Sequence, residues 1–250
     1  MLLPAGERWF VDVYREALPL VRDERLRADV RGFMGQEATH ARVHDAVLDH
    51  LRAAGLDTRP YTRRLESMFE RGFGARPPPG LPLSPRTWLE LRLGGIAAVE
   101  HFTCVLGRWI IERSAALDAA GADPTMMALL RWHGAEEIEH RAVAFETLGH
   151  LAGRRAYVMR AIGMALAVPI MIWLWDRGTR FLVARDPALA GARTGYRDFV
   201  RATTARRVPG AELVAAIPRF LRPGYHPAGE ASIDVARAVL ARVLADVRAG

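Results

Sequence analysis

The sequence predicts an all-α protein: a four-helix bundle over residues 1–153, followed by a helical C-terminal extension over residues 154–250. Apolar residues recur at spacings of three and four along most of the chain, and no long stretch alternates apolar with polar residues as a half-buried strand does. Ser84-Pro85 and Asp123-Pro124 are typical helix starts, since a side-chain acceptor precedes proline at the first helical position. Half of the 250 residues are hydrophobic, which is enough to bury a sizeable core.

The helix boundaries follow from breaks in this periodicity. The segment "RDE" separates the first two helices, Gly55 ends the second, and "GARPPPGLPLS" cannot form regular structure. A basic amphipathic stretch runs from Tyr196 to Arg207, and "RPGYHPAG" is predicted as a loop. The predicted helices cover approximately residues 5–21, 25–54, 60–73, 85–120, 124–153 and 232–247.

An apolar segment from Ala161 to Trp175 complicates the prediction of a soluble protein. It has 15 uninterrupted apolar residues with arginines on both sides, and Pro169 lies in its middle. A membrane-spanning helix needs about 20 such residues, so a buried or interfacial helix is favoured over a span. Peripheral membrane contact by this segment is a further expectation. The basic amphipathic stretch that follows is expected to be a solvated face, with contact to an anionic membrane as the alternative.

The charge and cysteine content exclude several classes of protein. The formal net charge is +7, and all 35 basic residues are arginine, scattered without the stripe that a phosphate backbone requires, so nucleic-acid binding is not predicted. Cys104 is the single cysteine, which excludes a disulfide framework and a thiolate metal cluster. The N-terminus lacks the pattern of a secretory signal. We therefore expect a cytoplasmic protein, with association at the inner face of the membrane as an alternative.

Three predicted helices carry acidic or imidazole side chains where a stripe of core positions calls for apolar residues. Each stripe advances in steps of three or four and is apolar at both ends. Buried carboxylates must be protonated, paired or bound to a cation, and the stripes contain no arginine, so metal binding is predicted. The polar positions are Glu37, His40 and His44 in the second helix, Glu100 in the third, and His133, Glu137 and His140 in the fourth.

Counting residues from the turns predicts which groups share a level of the bundle. Glu7 and Glu37 are each 15 residues from Arg22, and Glu100 and His140 are each 20 residues from Ala120. The resulting set is one Glu from each of two helices and Glu-x-x-His from each of the other two. This is the ligand arrangement of ferritin-like dimetal carboxylate proteins, so a ferritin-like bundle that holds two metal ions is predicted.

The fourth helix resembles that of the ferritin-like diiron N-oxygenases that oxidise aryl amines, whose helix carries an additional His at the spacing His-x3-Glu-x2-His. This resemblance implies that His133 is a further ligand. The predicted metal ligands are therefore Glu7, Glu37, His40, Glu100, His133, Glu137 and His140.

Over a longer range the chain resembles a bacterial family of predicted metal-dependent hydrolases, which is also placed in the ferritin-like group. The matching stretches are "PAGERWF", "RGFMGQEATHARVH", "VEHFT", "RWHGAEEIEHRAVAF" and "LRPGYHP". Together they touch nearly the whole chain.

Four further residues lie near the predicted ligands. His44 is equally compatible with a ligand, a partner that supports a ligand, and a core histidine. His101 and Glu136 are next to ligand positions but turned about 100° from them, as neighbours on a helix are, which suits supporting or surface roles. Tyr14 lies seven residues after Glu7 and could be a redox group, although packing is the commoner role.

These observations favour a dinuclear metal enzyme that activates dioxygen to oxidise an organic, hydrophobic substrate. Two iron ions are the preferred cofactor, with manganese, a mixed manganese–iron pair and zinc as alternatives. The alternative function is hydrolysis by a hydroxide that bridges two metal ions, and iron storage is less favoured. The expected partners are a small-molecule substrate, an electron donor and a second copy in a homodimer.

Overall fold

The computed structural model describes residues 3–189, 191, 195–205 and 208–249. The regular structure in these ranges is helical, without a strand, so the all-α prediction is confirmed. Short 3₁₀ turns cover Leu18–Leu20, Gly153–Arg155, Pro187–Leu189 and Pro227–Gly229. The α-helices are α1 (Leu3–Ala17), α2 (Glu24–Ala53), α3 (Arg59–Phe73), α4 (Pro85–Ala119), α5 (Pro124–His140), α6 (Val143–Ala152), α7 (Ala156–Val183), α8 (Tyr196–Thr204), α9 (Gly210–Phe220) and α10 (Ile233–Ala249).

Side-chain caps define the starts of the three helices that carry most of the Glu and His side chains at core positions. Asp23 accepts a hydrogen bond from the Leu26 amide at 2.8 Å and begins α2. Ser84 and Asp123 cap α4 and α5 in the same way, and proline follows each of them. Both of these predicted helix starts are confirmed.

The core combines the N-terminal helices with the C-terminal region. Phe10, Phe33 and Leu93 from α1, α2 and α4 share one buried cluster with Met164 of α7 and Phe220 of α9. Residues beyond 153 therefore cover the helices that carry Glu and His side chains at core positions. The proposed domain boundary at residue 153 stays a prediction.

Glycines allow α4 to approach two neighbouring helices closely. A Cβ on Gly134 of α5 would lie 2.8 Å from the Cα of Gly107 of α4, closer than real Cβ atoms come. A Cβ on Gly163 of α7 would collide with the backbone of Gly94 of α4. These contacts fix α5 and α7 against α4.

The predicted fourth helix is continuous to Gly153, but the structure interrupts it directly after His140. α5 ends at His140, and α6 begins at Val143. The guanidinium of Arg141 donates to the carbonyls of Pro227 at 3.1 Å and Ala228 at 3.3 Å, which holds the turn against the loop before α10. The stripe of the predicted fourth helix takes two steps of four in a row, from His140 to Ala144 and from Ala144 to Leu148, and this irregularity was the sequence signal for the interruption. Helix α9 has no counterpart among the helices predicted from the sequence.

The predicted apolar segment forms the centre of α7, which is longer than the segment. The helical region from Pro124 to Val183, which includes α7, contains a segment long and apolar enough to cross a membrane, but the core helix of a soluble protein meets the same criteria. One face of α7 is buried, since Met164 and Ala167 lie in the core cluster with α4, Leu174 packs with Tyr61 and Leu65 of α3, and all three α7 side chains are less than 10% exposed.

Candidate metal centre

Two adjoining groups of buried Glu and His side chains lie between α1, α2 and α5. In the first group, Glu37 and His40 of α2 face Glu137 and His140 of α5. The second group joins Glu7 of α1, His44 of α2 and His133 of α5. Within each group one potential ligand atom from every residue lies within 4.8 Å of the others. Each group therefore has the donor types and the spacing for one metal ion.

Glu137 connects the two groups. Its Oε1 lies 2.7 Å from His133 Nε2 in the second group and 3.7 Å from His40 Nδ1 in the first. The second group closes on Glu7, whose Oε1 is 2.7 Å from His44 Nδ1 and 3.9 Å from His133 Nε2. A carboxylate between two such groups can bridge two ions, so the arrangement fits a dinuclear site.

The atoms that face the interior of these groups are buried, and none forms a hydrogen bond of acceptable geometry with the described residues, although the Glu7–His44 and Glu137–His133 contacts are only 2.7 Å long. Burying polar atoms without partners is costly, and the inward nitrogens and oxygens are the donors that a divalent ion accepts. The residues present therefore fit metal ions. The atoms are Glu7 Oε1 and Oε2, Glu37 Oε1, His40 Nδ1, His44 Nδ1, His133 Nε2, Glu137 Oε2 and His140 Nε2.

Outer carboxylates orient the two histidines of the first group. His40 Nε2 lies 2.8 Å from Glu136 Oε2, and Trp132 Nε1 donates to the other oxygen of Glu136 at 3.1 Å. His140 Nδ1 lies 2.9 Å from Glu100 Oε2. When each histidine donates through its outer nitrogen, the inner nitrogen carries the lone pair that a metal requires. Glu136 and Glu100 therefore act on the site through the histidines that they hold.

Burial and neighbouring charges change the proton affinities within the site. Burial raises the pKa of Glu7 to about 7 and also raises the pKa of Glu37. Burial opposes protonation of His40, but the hydrogen bond to Glu136 and the neighbouring carboxylates of Glu37 and Glu137 outweigh it and raise the pKa to about 10. Burial and the charge of His133 lower the pKa of His44 to about 3. Without metal, the site thus retains protons that a cation would displace.

The two groups differ in their access to solvent. The side chains of His40 and Glu37 are 0% and 1% exposed, whereas those of His44 and His133 are 10% and 12% exposed. The outer nitrogens of His44 and His133 have no protein hydrogen bond in the described part of the chain. The second group is therefore the more open side of the site.

The structure brings together six of the seven predicted ligands and places the seventh behind them. Glu100 lies outside both groups, with one of its oxygens in contact with His140 Nδ1, and its role as a metal ligand stays a prediction. His44 is inside the second group. Glu136 contacts His40, and Trp132 supports both residues, since it donates to Glu136 and its ring centroid lies 5.0 Å from that of His40.

Counting residues from the second turn correctly places Glu100 at the level of His140, but counting from the first turn wrongly places Glu7 at the level of Glu37. Glu100 does meet His140, whereas Glu7 meets His44 rather than standing level with Glu37. Arg8 likewise pairs with Asp45 at 2.7 Å, so both side chains of α1 reach residues of α2 beyond the predicted level. The rings of Phe10 and Phe33, 6.3 Å apart, stay close to that level. Helical side chains lean toward the N-terminus of their own helix, which from α1 is toward higher residue numbers of the antiparallel α2.

His101 and Tyr14 lie outside both groups. His101 contacts the carbonyl of Ala216 at 3.0 Å and the hydroxyl of Tyr225 at 2.7 Å, so it joins α4 to α9 and to the "LRPGYHP" segment. Tyr14 is completely buried, and its ring centroid is 4.7 Å from that of Phe33, which in turn contacts His140. The Tyr14 hydroxyl has no hydrogen-bond partner among the described residues.

The fold and the site define an all-α protein with a buried Glu/His centre that fits metal ions. The chain belongs to the family described as predicted metal-dependent hydrolase, whose model matches residues 1–231. No curated protein and no solved structure gives a significant match. The family description supports a metal-dependent enzyme and favours the hydrolytic alternative over the dioxygen chemistry that sequence analysis preferred.

Proposed function

We propose that the protein is a hydrolase that uses two divalent metal ions. Glu37, His40 and His140 would hold one ion, Glu7, His44 and His133 the other, and Glu137 would lie between them. The observation that carries the proposal is the set of inward-facing atoms without partners in two adjoining groups that share Glu137. The family description supports hydrolysis as the reaction.

The surrounding residues keep the site ordered and dry. Glu136 and Glu100 hold the outer nitrogens of His40 and His140, so that the inner nitrogens of both rings face the site. Trp132 and Phe33 pack their rings against the same two histidines and exclude water from the inner group. Bound divalent ions would supply polarisation of a substrate oxygen and a water molecule of lowered pKa.

Substrate would reach the site from the side of His44 and His133, because that side is the more exposed. The charge of the Arg8 guanidinium acts on the pKa of Glu7, but Arg8 is already paired with Asp45 and Glu66. Arg8 therefore adds no free guanidinium for a phosphate group, and an ester or amide of low charge suits this entrance better.

A second candidate function is oxidation of an organic substrate with dioxygen by two iron ions. Seven Glu and His side chains for two ions exceed the tetrahedral requirement of zinc and suit iron or manganese. The buried Tyr14 near Glu37 and Glu100 is a residue of the redox-active type in the surroundings of the site.

The test is to load metal-free protein with zinc, manganese or iron under anaerobic conditions and to measure metal content, ester and amide hydrolysis, and oxygen uptake. We expect about two ions per chain and metal-dependent hydrolysis, both reduced in His133→Ala. His50→Ala is the matched control, because His50 is an exposed histidine of α2 outside both groups.

Oxygen uptake by the iron form without hydrolysis by any metal form would reject the hydrolase in favour of the oxidase. Protein that binds no metal under these conditions would overturn both functions.

A further inference from the structure

The outer face of α7 is an exposed apolar stripe. Exposed apolar residues at helical spacing run from Val158 through Ile162 and Leu166 to Ile172 and Trp173. Ile172 is 65% exposed and Trp173 is 53% exposed. The positions lie within about one third of the circumference of the helix, so they form one continuous surface. A contiguous apolar surface of this kind on a soluble fold indicates a contact with a partner or a membrane.

The opposite face of α7 is committed to the fold. Gly163 allows the backbone of α7 to touch Gly94 of α4, and Met164 and Leu174 are 1% and 3% exposed. A helix that crosses a bilayer alone would have to give up these contacts. The helix can instead present its free stripe parallel to a membrane surface, as interfacial helices do.

The ends of the stripe carry the residues that favour an anionic lipid interface. Arg154 precedes the stripe and Arg177 follows it, and both are exposed without a carboxylate partner among the described residues. The Arg177 guanidinium lies 6.0 Å from the centroid of the Trp173 ring. Trp175, beside the stripe, is 57% exposed. Tryptophan at the level of the headgroups and arginine beside it are the anchors of interfacial helices.

We propose that α7 docks the protein on the surface of a membrane that contains anionic lipids, with the stripe from Val158 to Trp173 in the interface. The occupant is lipid rather than a second copy of the chain, because unpaired cations at both ends of the stripe would repel those of an identical surface. The proposal does not depend on the proposed hydrolase function.

Flotation with vesicles of phosphatidylcholine, with and without phosphatidylglycerol, tests the proposal on the full chain. We expect the protein to float with the anionic vesicles and binding to weaken with added salt. The double variant Ile172→Ser/Trp173→Ser should bind at least about tenfold less, since two exposed apolar side chains are lost from the interface. The matched control is Val235→Ser/Leu244→Ser on α10, whose two side chains are each 49% exposed.

A second measurement identifies the inserted residues without changing their apolar character. Brominated lipid should quench the tryptophan emission of the natural chain, and quenching should be reduced in Trp173→Phe/Trp175→Phe, which retains vesicle binding. Loss of binding in the control pair to the same degree as in the α7 pair would contradict docking through α7.

The oligomeric state in solution distinguishes docking of the stripe on lipid from its contact with a second copy of the chain. A stable dimer that does not float and becomes monomeric in Ile172→Ser/Trp173→Ser would overturn the proposal and assign the stripe to a homodimer contact. Absence of flotation in a monomer would also overturn it. Unchanged metal content in the α7 variants would show that the candidate metal centre is unaffected.

Discussion

At the scale of single residues, the candidate site depends on which atoms of each side chain contact supporting residues and which atoms face the interior of the site. The outer nitrogens of His40 and His140 are held by Glu136 and Glu100, while their inner nitrogens have no partner in the described structure. Glu137 differs from these carboxylates because it contacts histidines of both groups. Its loss should therefore affect both ions.

We expect Glu137→Gln to lower the metal content from about two ions per chain to about one or less, because a neutral amide neither bridges two cations nor neutralises them. Elemental analysis of protein loaded with excess metal is the measurement. Glu139→Gln is the control, since Glu139 lies two residues further on α5 and faces Arg237 at 3.7 Å. Full metal content in Glu137→Gln would show that Glu137 is not a shared ligand.

Metal binding should release protons. The pKa of Glu7 is raised to about 7 and that of His40 to about 10, so at neutral pH His40 holds a proton and Glu7 is about half protonated, and a cation must displace these protons. Affinity should therefore rise between pH 6 and pH 8, by roughly tenfold for each proton released per pH unit. Calorimetric titration in two buffers with different ionisation enthalpies measures the release. Equal heats in both buffers would contradict it.

At the scale of elements, the close contact between α4 and α5 sets the position of His133. Gly134 follows His133 directly and meets Gly107 across the helix pair. A side chain at either glycine would push the helices apart and move His133 away from Glu7 and Glu137. The break after His140 likewise allows α5 to carry the site while α6 follows its own direction into the core.

We expect Gly107→Ala to destabilise the metal-free protein by about 2 kcal/mol, as overpacking of a core contact does, and to weaken metal binding. Chemical unfolding and metal titration measure the two effects. Gly95→Ala is the control in the same helix, because nothing lies within 4 Å of its added Cβ. That control should be neutral or more stable by up to about 1 kcal/mol, since alanine favours helix over glycine. Equal stability of both variants would refute the close-packing argument.

At the scale of the whole molecule, buried atoms without partners make the metal centre part of the folding energetics. The helices that meet there bury at least eight such atoms, and the C-terminal helices complete the core around them. Metal ions bind these atoms in the folded chain but find no preformed site in the unfolded chain. Occupancy of the centre should therefore be visible in global stability.

Removal of metal with a chelator should lower the midpoint of thermal unfolding by roughly 15–30 °C, if each of the two ions is present at a thousandfold excess over its dissociation constant. Scanning calorimetry with and without chelator measures the shift, and restored metal should reverse it. Glu137→Gln should show a smaller shift than Glu139→Gln. An unchanged midpoint in the natural chain would exclude a structural contribution of metal.

The sequence by itself determined the helical class, two capped helix starts and the identity of most residues at the site. These features are local: periodicity defines the buried face of a helix, and caps define its start. The His and Glu side chains that interrupt the apolar stripes are visible for the same reason. Family membership follows from motifs spread over residues 1–231.

Only the tertiary structure decided how these residues combine. Glu7 meets His44 rather than Glu37, and Glu100 contacts His140 from outside the two groups. Glu136 and Trp132 gain their role through contact with a histidine on another helix. Such pairings depend on the register between helices, which is fixed by turn geometry and close glycine contacts rather than by the pattern within one helix.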